Sequence, residues 1–332
     1  TDGERSIVRN NSGTWQYNSN GTYGSTTWAN ATTNAELAAI QEAMTGATGT
    51  TSQYDVSTAS FVDSFSVSAQ ESSPQGVAFN TNGTKMFVIG LSGDDVNEYN
   101  LSTGFDVSTA SYSQNFSVSS QATQPRDIVF NSDGTKMFIV SDTTGVRFVY
   151  QYNLSTGFDV SSASYSNYSV NISSQDISPI SLAFNTNGTK LFVLGNFGDI
   201  VLEYTVATGF DLSSTVTYSQ QFSVTNQENN PKGITFNNDG TKMYIVGASD
   251  EVNEYNLTTG FDISTASASQ VLDISSQDTN PNGIKFNADG TKMFVVGGAG
   301  VDINEYTVGA TSYPNQMNKT QLDAIPDANH FT

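Results

Sequence analysis

The sequence predicts an all-β fold, a five-bladed β-propeller of four-stranded antiparallel blades closed by an N-terminal strand, with small flanking segments. Three observations predict it: a five-fold internal repeat, four strand-like stretches within each repeat, and incomplete repeats at the two ends that complement one another.

The repeat comes first. The phrase F-N-x-x-G-T-K recurs with its glycine at Gly83, Gly134, Gly188, Gly240 and Gly290, at spacings of 51, 54, 52 and 50 residues. A proline keeps the same register upstream at Pro74, Pro125, Pro179, Pro231 and Pro281, and a tyrosine does so downstream at Tyr99, Tyr152, Tyr204, Tyr255 and Tyr306. Each unit therefore reads as one structural module.

Within a unit, alternation and turn chemistry give four strands, A to D. In the first unit A is typified by GVAFN (76–80), B by TKMFVIG (84–90), C by VNEYNL (96–101) and D by SYSQNFSVS (111–119). The Asn, Asp and Gly residues between A and B suit a hairpin with a left-handed glycine. In B, Met86 and Val88 share one face and Phe87 and Ile89 the other. Both faces are thus expected to be buried, as in a blade held between two others.

The chain ends supply the closure. YDVSTASFVDSFSVS (54–68) matches a C–D loop and a strand D with nothing before it, and the last unit stops after strand C, INEYTV (303–308). Five complete blades result if the N-terminal strand D joins the C-terminal A–B–C sheet, which removes the open edges. An open β-solenoid, the alternative, needs no such complement.

These boundaries divide the chain into a flank at 1–48, the propeller at 49–310 and a second flank at 311–332. The first flank holds strand-like SIVRN and GTWQYNS and then NAELAAIQEAM (34–44), which reads as a short helix capped by Asn34 with Leu37, Ile40 and Met44 on one stripe. Leu322 and Ile325 of the second flank are expected to pack against it. Both propeller ends leave from the same C–D edge, the arrangement that tolerates insertion into a host segment.

Composition narrows the function. Ser, Thr, Asn and Gly dominate, charged residues are 13% of the chain, and the formal charge is −20 with only 12 Lys and Arg. Nucleic acid and anionic membrane are poor partners for such a surface. With no cysteine, disulfides and thiolate metal sites are excluded. No apolar run is long enough to span a membrane, so no membrane insertion is expected.

Two segments carry a resemblance. ELAAIQEAM (36–44) with NKTQLDAIPDANHFT (318–332) resembles parts of marine phage tail-fibre-like virion proteins. The repeat, typified by 275–297 (SSQDTNPNGIKFNADGTKMFVVG), is similar to a propeller family common in marine microbial and viral sequences. The resemblance implies a virion-surface or extracellular protein that meets other virion proteins, or copies of itself, through its flanks. It transfers no catalytic residue.

The residues themselves are expected to bind rather than catalyse. The lone histidine, His330, lies outside the ring, so no Ser-His-Asp device can form there. Glycoside hydrolysis by axial carboxylates is the enzyme alternative, but it needs unlike acids from different blades, whereas most acids here recur at equivalent positions. No cofactor is expected. Calcium is conceivable at Asp94 with Asp95 or Asp250 with Glu251, although a solvated acidic loop is the commoner reading of such pairs, and the NTNG-type turns are explained by hairpin geometry. Asn82, Asn100, Asn153, Asn187 and Asn256 head glycosylation triplets of the kind this composition produces by repeat copying.

The expected contact surface is the face of the D–A and B–C loops. It carries Gln70, Gln121, Gln175, Gln227 and Gln277, one per blade, with Glu71, Asp176, Glu228 and Asp278 beside four of them. Repeated amides and carboxylates suit sugar hydroxyls, a cell-surface glycan being the expected ligand, while the plainer reading is that each Gln caps its own loop. Blade 2 departs from the repeat at Arg126, Arg147 and Phe148, and blade 3 places Phe197 in a loop. Broken symmetry is where a specific site would lie, drift in a tolerant loop being an equally good account of it. A secreted or cell-surface adhesion module of a marine microbe is the alternative to a virion protein.

Overall fold

A computed structural model describes residues 53–143 and 145–309 together with three short strands of the N-terminal flank. The chain divides into two compact units, Gln53–Gly309 and the flanks Thr1–Ser52 with Ala310–Thr332. In the flanking unit Val8–Asn11, Thr14–Tyr17 and Ala29–Asn30 form a three-stranded antiparallel sheet, the first two at the stretches that read as strands. The helix expected over 34–44, its packing partners Leu322 and Ile325, and His330 lie outside the described residues.

The larger unit is a five-bladed β-propeller. Blade 1 is built from Pro74–Phe79, Lys85–Gly90, Asp95–Leu101 and Ala110–Ser117, strands A to D in order. Blade 2 has Pro125–Phe130, Lys136–Thr143, Val146–Leu154 and Ala163–Asn171; blade 3 has Pro179–Phe184, Lys190–Gly195, Ile200–Val206 and Val216–Ser223. Blade 4 has Pro231–Phe236, Lys242–Gly247, Glu251–Leu257 and Ala266–Asp273. Blade 5 joins Pro281–Phe286, Lys292–Gly297 and Asp302–Thr307 to Ser60–Ser66 from the far end of the domain. That last pairing runs antiparallel from Thr307↔Ser60 to Asp302↔Ser66, and the Gly309 N–H donates to Thr58 Oγ1 at 2.7 Å, so the segment ends lie side by side.

The A strands are innermost and touch one another in ring order, the fifth returning to the first. Each proline sits at the first residue of its A strand, where a missing N–H is tolerated. Strand B alternates as expected, and its two faces serve two different cores. Met86 and Val88 pack with Phe294 and Val296 of blade 5, whereas Phe87 and Ile89 pack with Met137 and Ile139 of blade 2. All four blade 1 side chains are fully buried. Five such clusters, one per blade interface, make up the core.

A polar latch repeats beneath these cores, at the end of the ring that carries the A–B turns and C–D loops. The lysine that opens strand B donates to a backbone carbonyl in the next blade's C–D loop: Lys85 to Phe158 at 2.8 Å, Lys136 to Phe210 at 2.8 Å, Lys190 to Phe261 at 2.6 Å and Lys292 to Phe105 at 2.6 Å. In blade 4 the acceptor is Tyr54, reached by Lys242 at 3.3 Å and also by the Tyr244 hydroxyl, so the N-terminal segment takes the phenylalanine's place and closes the ring. A buried strand C glutamate neutralises four of these lysines, as in Lys292–Glu305 at 2.7 Å. Glu305 then accepts the Val107 N–H of the next blade at 2.9 Å.

The A–B turn shows why glycine recurs. Gly83 has φ +71°, and a Cβ there would lie 2.3 Å from the Phe105 ring. Asn82 Oδ1 already accepts from the N–H and hydroxyl of Thr84 at 3.2 and 2.7 Å. These oxygens complete a turn and supply no cation loop.

Candidate functional site

The innermost strands of a five-membered ring crowd its axis. At the waist stand Gly76, Asp127, Ser181, Gly233 and Gly283, one per blade. A Cβ on Gly233 would lie 2.8 Å from the Gly283 Cα, and one on Gly76 2.8 Å from the Asp127 Cα. The two larger side chains fill what space remains. Asp127 Oδ2 accepts from the Ser181 hydroxyl at 2.5 Å and the Leu182 N–H at 3.1 Å, and Lys285 approaches it at 3.5 Å. This waist separates a mouth at the D–A and B–C loop face from a vestibule at the A–B turns.

The mouth is a pocket of about 240 Å³ lined by Gln75, Arg126, Ser178, Ile180, Asn196, Asn230, Lys232 and Asn282. Five of these are the residue directly after the register proline, and in each blade that residue is skipped in the A–B pairing. Pro74 faces Gly90 and Gly76 faces Ile89, leaving Gln75 unpaired; the same shift leaves out Arg126, Ile180, Lys232 and Asn282. A bulge re-aims the side chain it frees. Five bulges in one register thus deliver five different side chains to one pocket.

Hydrogen bonds run around the mouth from blade to blade. Arg126 Nη1 donates to Gln75 Oε1 at 3.1 Å, and Asn282 Nδ2 to the Pro74 carbonyl at 2.9 Å. Lys232 donates to Asn282 Oδ1 at 3.3 Å and, more closely, to Asn280 Oδ1. Asn196 Nδ2 donates to Asn230 Oδ1 at 2.5 Å and the Pro231 carbonyl at 3.0 Å, and the Ser178 hydroxyl to Asp142 Oδ2 at 3.1 Å. Such a network holds the lining in place before any ligand arrives.

The electrostatics are uneven. Burial pushes both the Arg126 guanidinium and the Lys232 ammonium below their ordinary pKa. The positive charge of Arg126 further lowers that of Lys232, against Glu228, Asp250 and Asp278, which raise it. Arg126 shares Asp142, at 3.8 Å, with Arg147, at 3.3 Å. The Arg126 Nε–H is buried without a partner. Among the described residues Lys232 has no carboxylate within ion-pair distance, unlike Lys85, Lys136, Lys190, Lys242, Lys285 and Lys292.

The residues singled out from the sequence occupy the same face but are deployed differently. The side-chain oxygens of Gln70, Gln121, Gln175, Gln227 and Gln277 accept from the repeated tyrosine hydroxyls at 3.3–3.5 Å. None of them lines the mouth pocket. The acids beside them tie the D–A loop to the B–C loop: Glu71 accepts from the Ser73 and Ser92 N–H groups, and Asp278 from those of Asn280 and Gly300. This geometry is that of a loop cap.

Arg147 sits in an extended blade 2 hairpin, where it pairs across the strands with Asp142 and donates to the Ile177 carbonyl of blade 3. Phe197 is 72% exposed and follows the mouth-lining Asn196, with Ile177 also exposed on this face.

The acidic pairs lack a ligand set. Asp95 is taken up by Asn97 at 2.7 Å and Asn115 at 2.5 Å, while Asp94 and Asp250 hold left-handed loop positions with φ 48° and 60°. Glu251 opens strand C of blade 4. Among the described residues no group of three or more His, Cys, Asp or Glu side chains could hold a metal ion, Asp94, Asp95, Asp250 and Glu251 included.

Of the mouth residues, only Arg126 is evident from the sequence as a departure from the repeat. The signal for the rest is the variation itself: the position after the register proline is Gln, Arg, Ile, Lys and Asn in turn, next to a proline that repeats in all five blades.

No family model and no curated protein matches the chain. Solved structures similar to it include a functionally unknown protein from Desulfotomaculum acetoxidans, 11% identical, covering 73% of this chain and 69% of that one at TM-score 0.44. The β-propeller domain of Myceliophteria thermophila Cps50 (Swd1) is 9% identical over 75% and 99% at TM-score 0.45. A candidate 6-phosphogluconolactonase from Bacteroides uniformis is 15% identical over 72% and 69% at TM-score 0.44. At these values the likeness carries nothing about activity or ligand, and none of the three is viral.

Proposed function

We propose that the protein is a non-catalytic recognition module that displays its propeller on an extracellular surface and contacts a cell-surface carbohydrate with the D–A and B–C loop face. The observation that carries this reading is the set of five bulges, which turn an otherwise strict repeat into one pocket with five unlike walls. The lining is rich in amide and hydroxyl groups, which offer the paired donors and acceptors that sugar hydroxyls require. Among the described residues no Asp, Glu or His lines the mouth pocket, which favours binding over acid–base hydrolysis.

Placement on a virion, as a fibre or decoration protein assembled through its flanks, rests on the sequence likeness of those flanks alone. A glycan array probed with the full chain tests the carbohydrate reading: binding to a restricted set of glycans is the expected result, and binding to none overturns it. Electron microscopy of particles from the source tests the placement. Density for a five-bladed disc on a fibre is expected; its confinement to cells or free secretion replaces the virion reading with that of an adhesion module.

A further inference from the structure

We infer that the axial mouth is an oxyanion site, and that the group it takes is a carboxylate or sulfate ester carried on a single sugar unit. The inference rests on the carbohydrate reading above and adds the chemical class of the ligand.

Arg126 and Lys232 reach the same pocket from blades 2 and 4, each as the residue freed by a bulge. Two like charges converging on one cavity are costly unless an anion lies between them. Among the described residues no carboxylate lines the pocket to fill that role. Asp142 is divided between Arg126 and Arg147 and lies outside the pocket lining. Glu228, Asp250 and Asp278 act on Lys232 only at longer range, none of them lining the pocket; Glu228 accepts the Asn230 and Ser249 N–H groups and Asp278 those of Asn280 and Gly300.

What faces Lys232 directly is neutral, Asn280 and Asn282. The buried, unpartnered Nε–H of Arg126 is a further donor in want of an acceptor. Such charge-assisted contacts act over short distances, whereas the −20 charge of the whole chain is screened beyond about 8 Å at physiological salt. An anion is therefore held here by contact and not by long-range attraction.

Size limits the ligand. At about 240 Å³ the pocket falls below the roughly 300–1,000 Å³ of clefts for drug-sized molecules. One charged end group or sugar unit fits, and the half-buried Ile180 offers an apolar wall against a ring face.

The test is calorimetric titration of the full chain with glucuronate, sulfated glucose, sodium sulfate and glucose, on the unaltered protein and on Lys232→Gln and Gln75→Glu. Gln75→Glu keeps the oxygen that Arg126 donates to and installs a competing carboxylate, so the fold is retained while the site is neutralised from within. The expected result is binding of a charged sugar, weakened about 10-fold or more by each substitution at unchanged melting temperature, with glucose bound far more weakly. The stronger of glucuronate and sulfated glucose identifies the natural group.

Equal affinity for glucose, charged-sugar binding that both substitutions leave untouched, or no binding of any probe overturns the inference. Sulfate binding at the mouth with no sugar bound supports the oxyanion site and sinks the carbohydrate reading. Neutral-glycan binding on the array that survives both substitutions does the reverse.

Discussion

At the turn end of the ring every blade makes the same contact: a strand B lysine reaches across to the next blade's C–D loop, and even the N-terminal segment conforms by placing Tyr54 where the other loops have phenylalanine. At the mouth end Gln75, Arg126, Ile180, Lys232 and Asn282 hold one geometric position with five chemistries. The difference separates two demands on a repeat. Residues that join blades must match at every interface, because the ring closes only if all five agree. Residues freed by the bulge lie outside the A–B pairing and the apolar clusters between blades, and meet one another through side-chain hydrogen bonds around the mouth, so they can diverge without disturbing the cores.

The acids mark the same division. At the turn end the Asp133, Asp239 and Asp289 carboxylates are held below the usual range, chiefly by hydrogen bonds from Thr135, Thr241 and Thr291 hydroxyls. Asp159, Asp211 and Asp262 are held down likewise by Ser161, Ser213 and Ser264. In the B–C loops of the mouth face, burial first and neighbouring acids second push Asp94 and Asp302 up; Asp199 is raised by burial and by Glu228 and Asp176, against a hydrogen bond from Thr225.

The comparison is broken most severely by removing closure. A chain lacking residues 1–66 loses both Tyr54 and the fourth strand of blade 5, and is expected to lose its cooperative thermal transition, read by circular dichroism, and to associate through the bared edge, read by size-exclusion chromatography. Retention of a monomeric, cooperative fold would contradict the closure assigned here.

Next in size is Lys292→Met, which strands Glu305 with its side chain 3% exposed. We expect a loss of about 3–5 kcal/mol in denaturant unfolding. Gly83→Ala forces a Cβ into the Phe105 ring at a left-handed φ and should cost about 1–3 kcal/mol. Lys232→Gln, a lysine substitution of the mouth end, should by contrast change stability by no more than about 1 kcal/mol in either direction, since it removes a half-buried charge that has only amide partners. Equal losses at Lys292 and Lys232 would erase the distinction between the two ends.

The smallest effect is in pH. The turn acids have folded pKa values below their unfolded ones, so their stabilisation is present above about pH 4 and is lost as pH falls through the lowered values. The raised loop acids work in the opposite sense. Their ionised form is disfavoured in the fold, a cost felt at neutral pH and relieved as pH falls through the raised values, before the turn acids protonate. Stability should hold or rise slightly on mild acidification and then decline. Asp94→Asn, which suits the left-handed position, should remove part of that rise and gain at most about 0.5 kcal/mol at pH 7, the exposure of Asp94 screening the rest.

Much of this fold was legible in residues 54–308. The period revealed the blades, and the alternation of Met86, Phe87, Val88 and Ile89 revealed a sheet buried on both faces. The unmatched strand at one end and the missing strand at the other revealed closure. The candidate mouth pocket lies on the face that loop order singles out. Its residues were not legible. The glutamines repeat because each accepts from the repeated tyrosine hydroxyl of its own blade.

The sequence by itself determined the apolar packing and the lysine latch between blades, because those contacts recur five times and local periodicity records them. Only the tertiary structure decided which side chains meet at the axis. That meeting depends on a one-residue bulge in each A strand and on ring closure, which bring residues some fifty positions apart onto one small pocket, and neither leaves a mark in hydrophobic pattern.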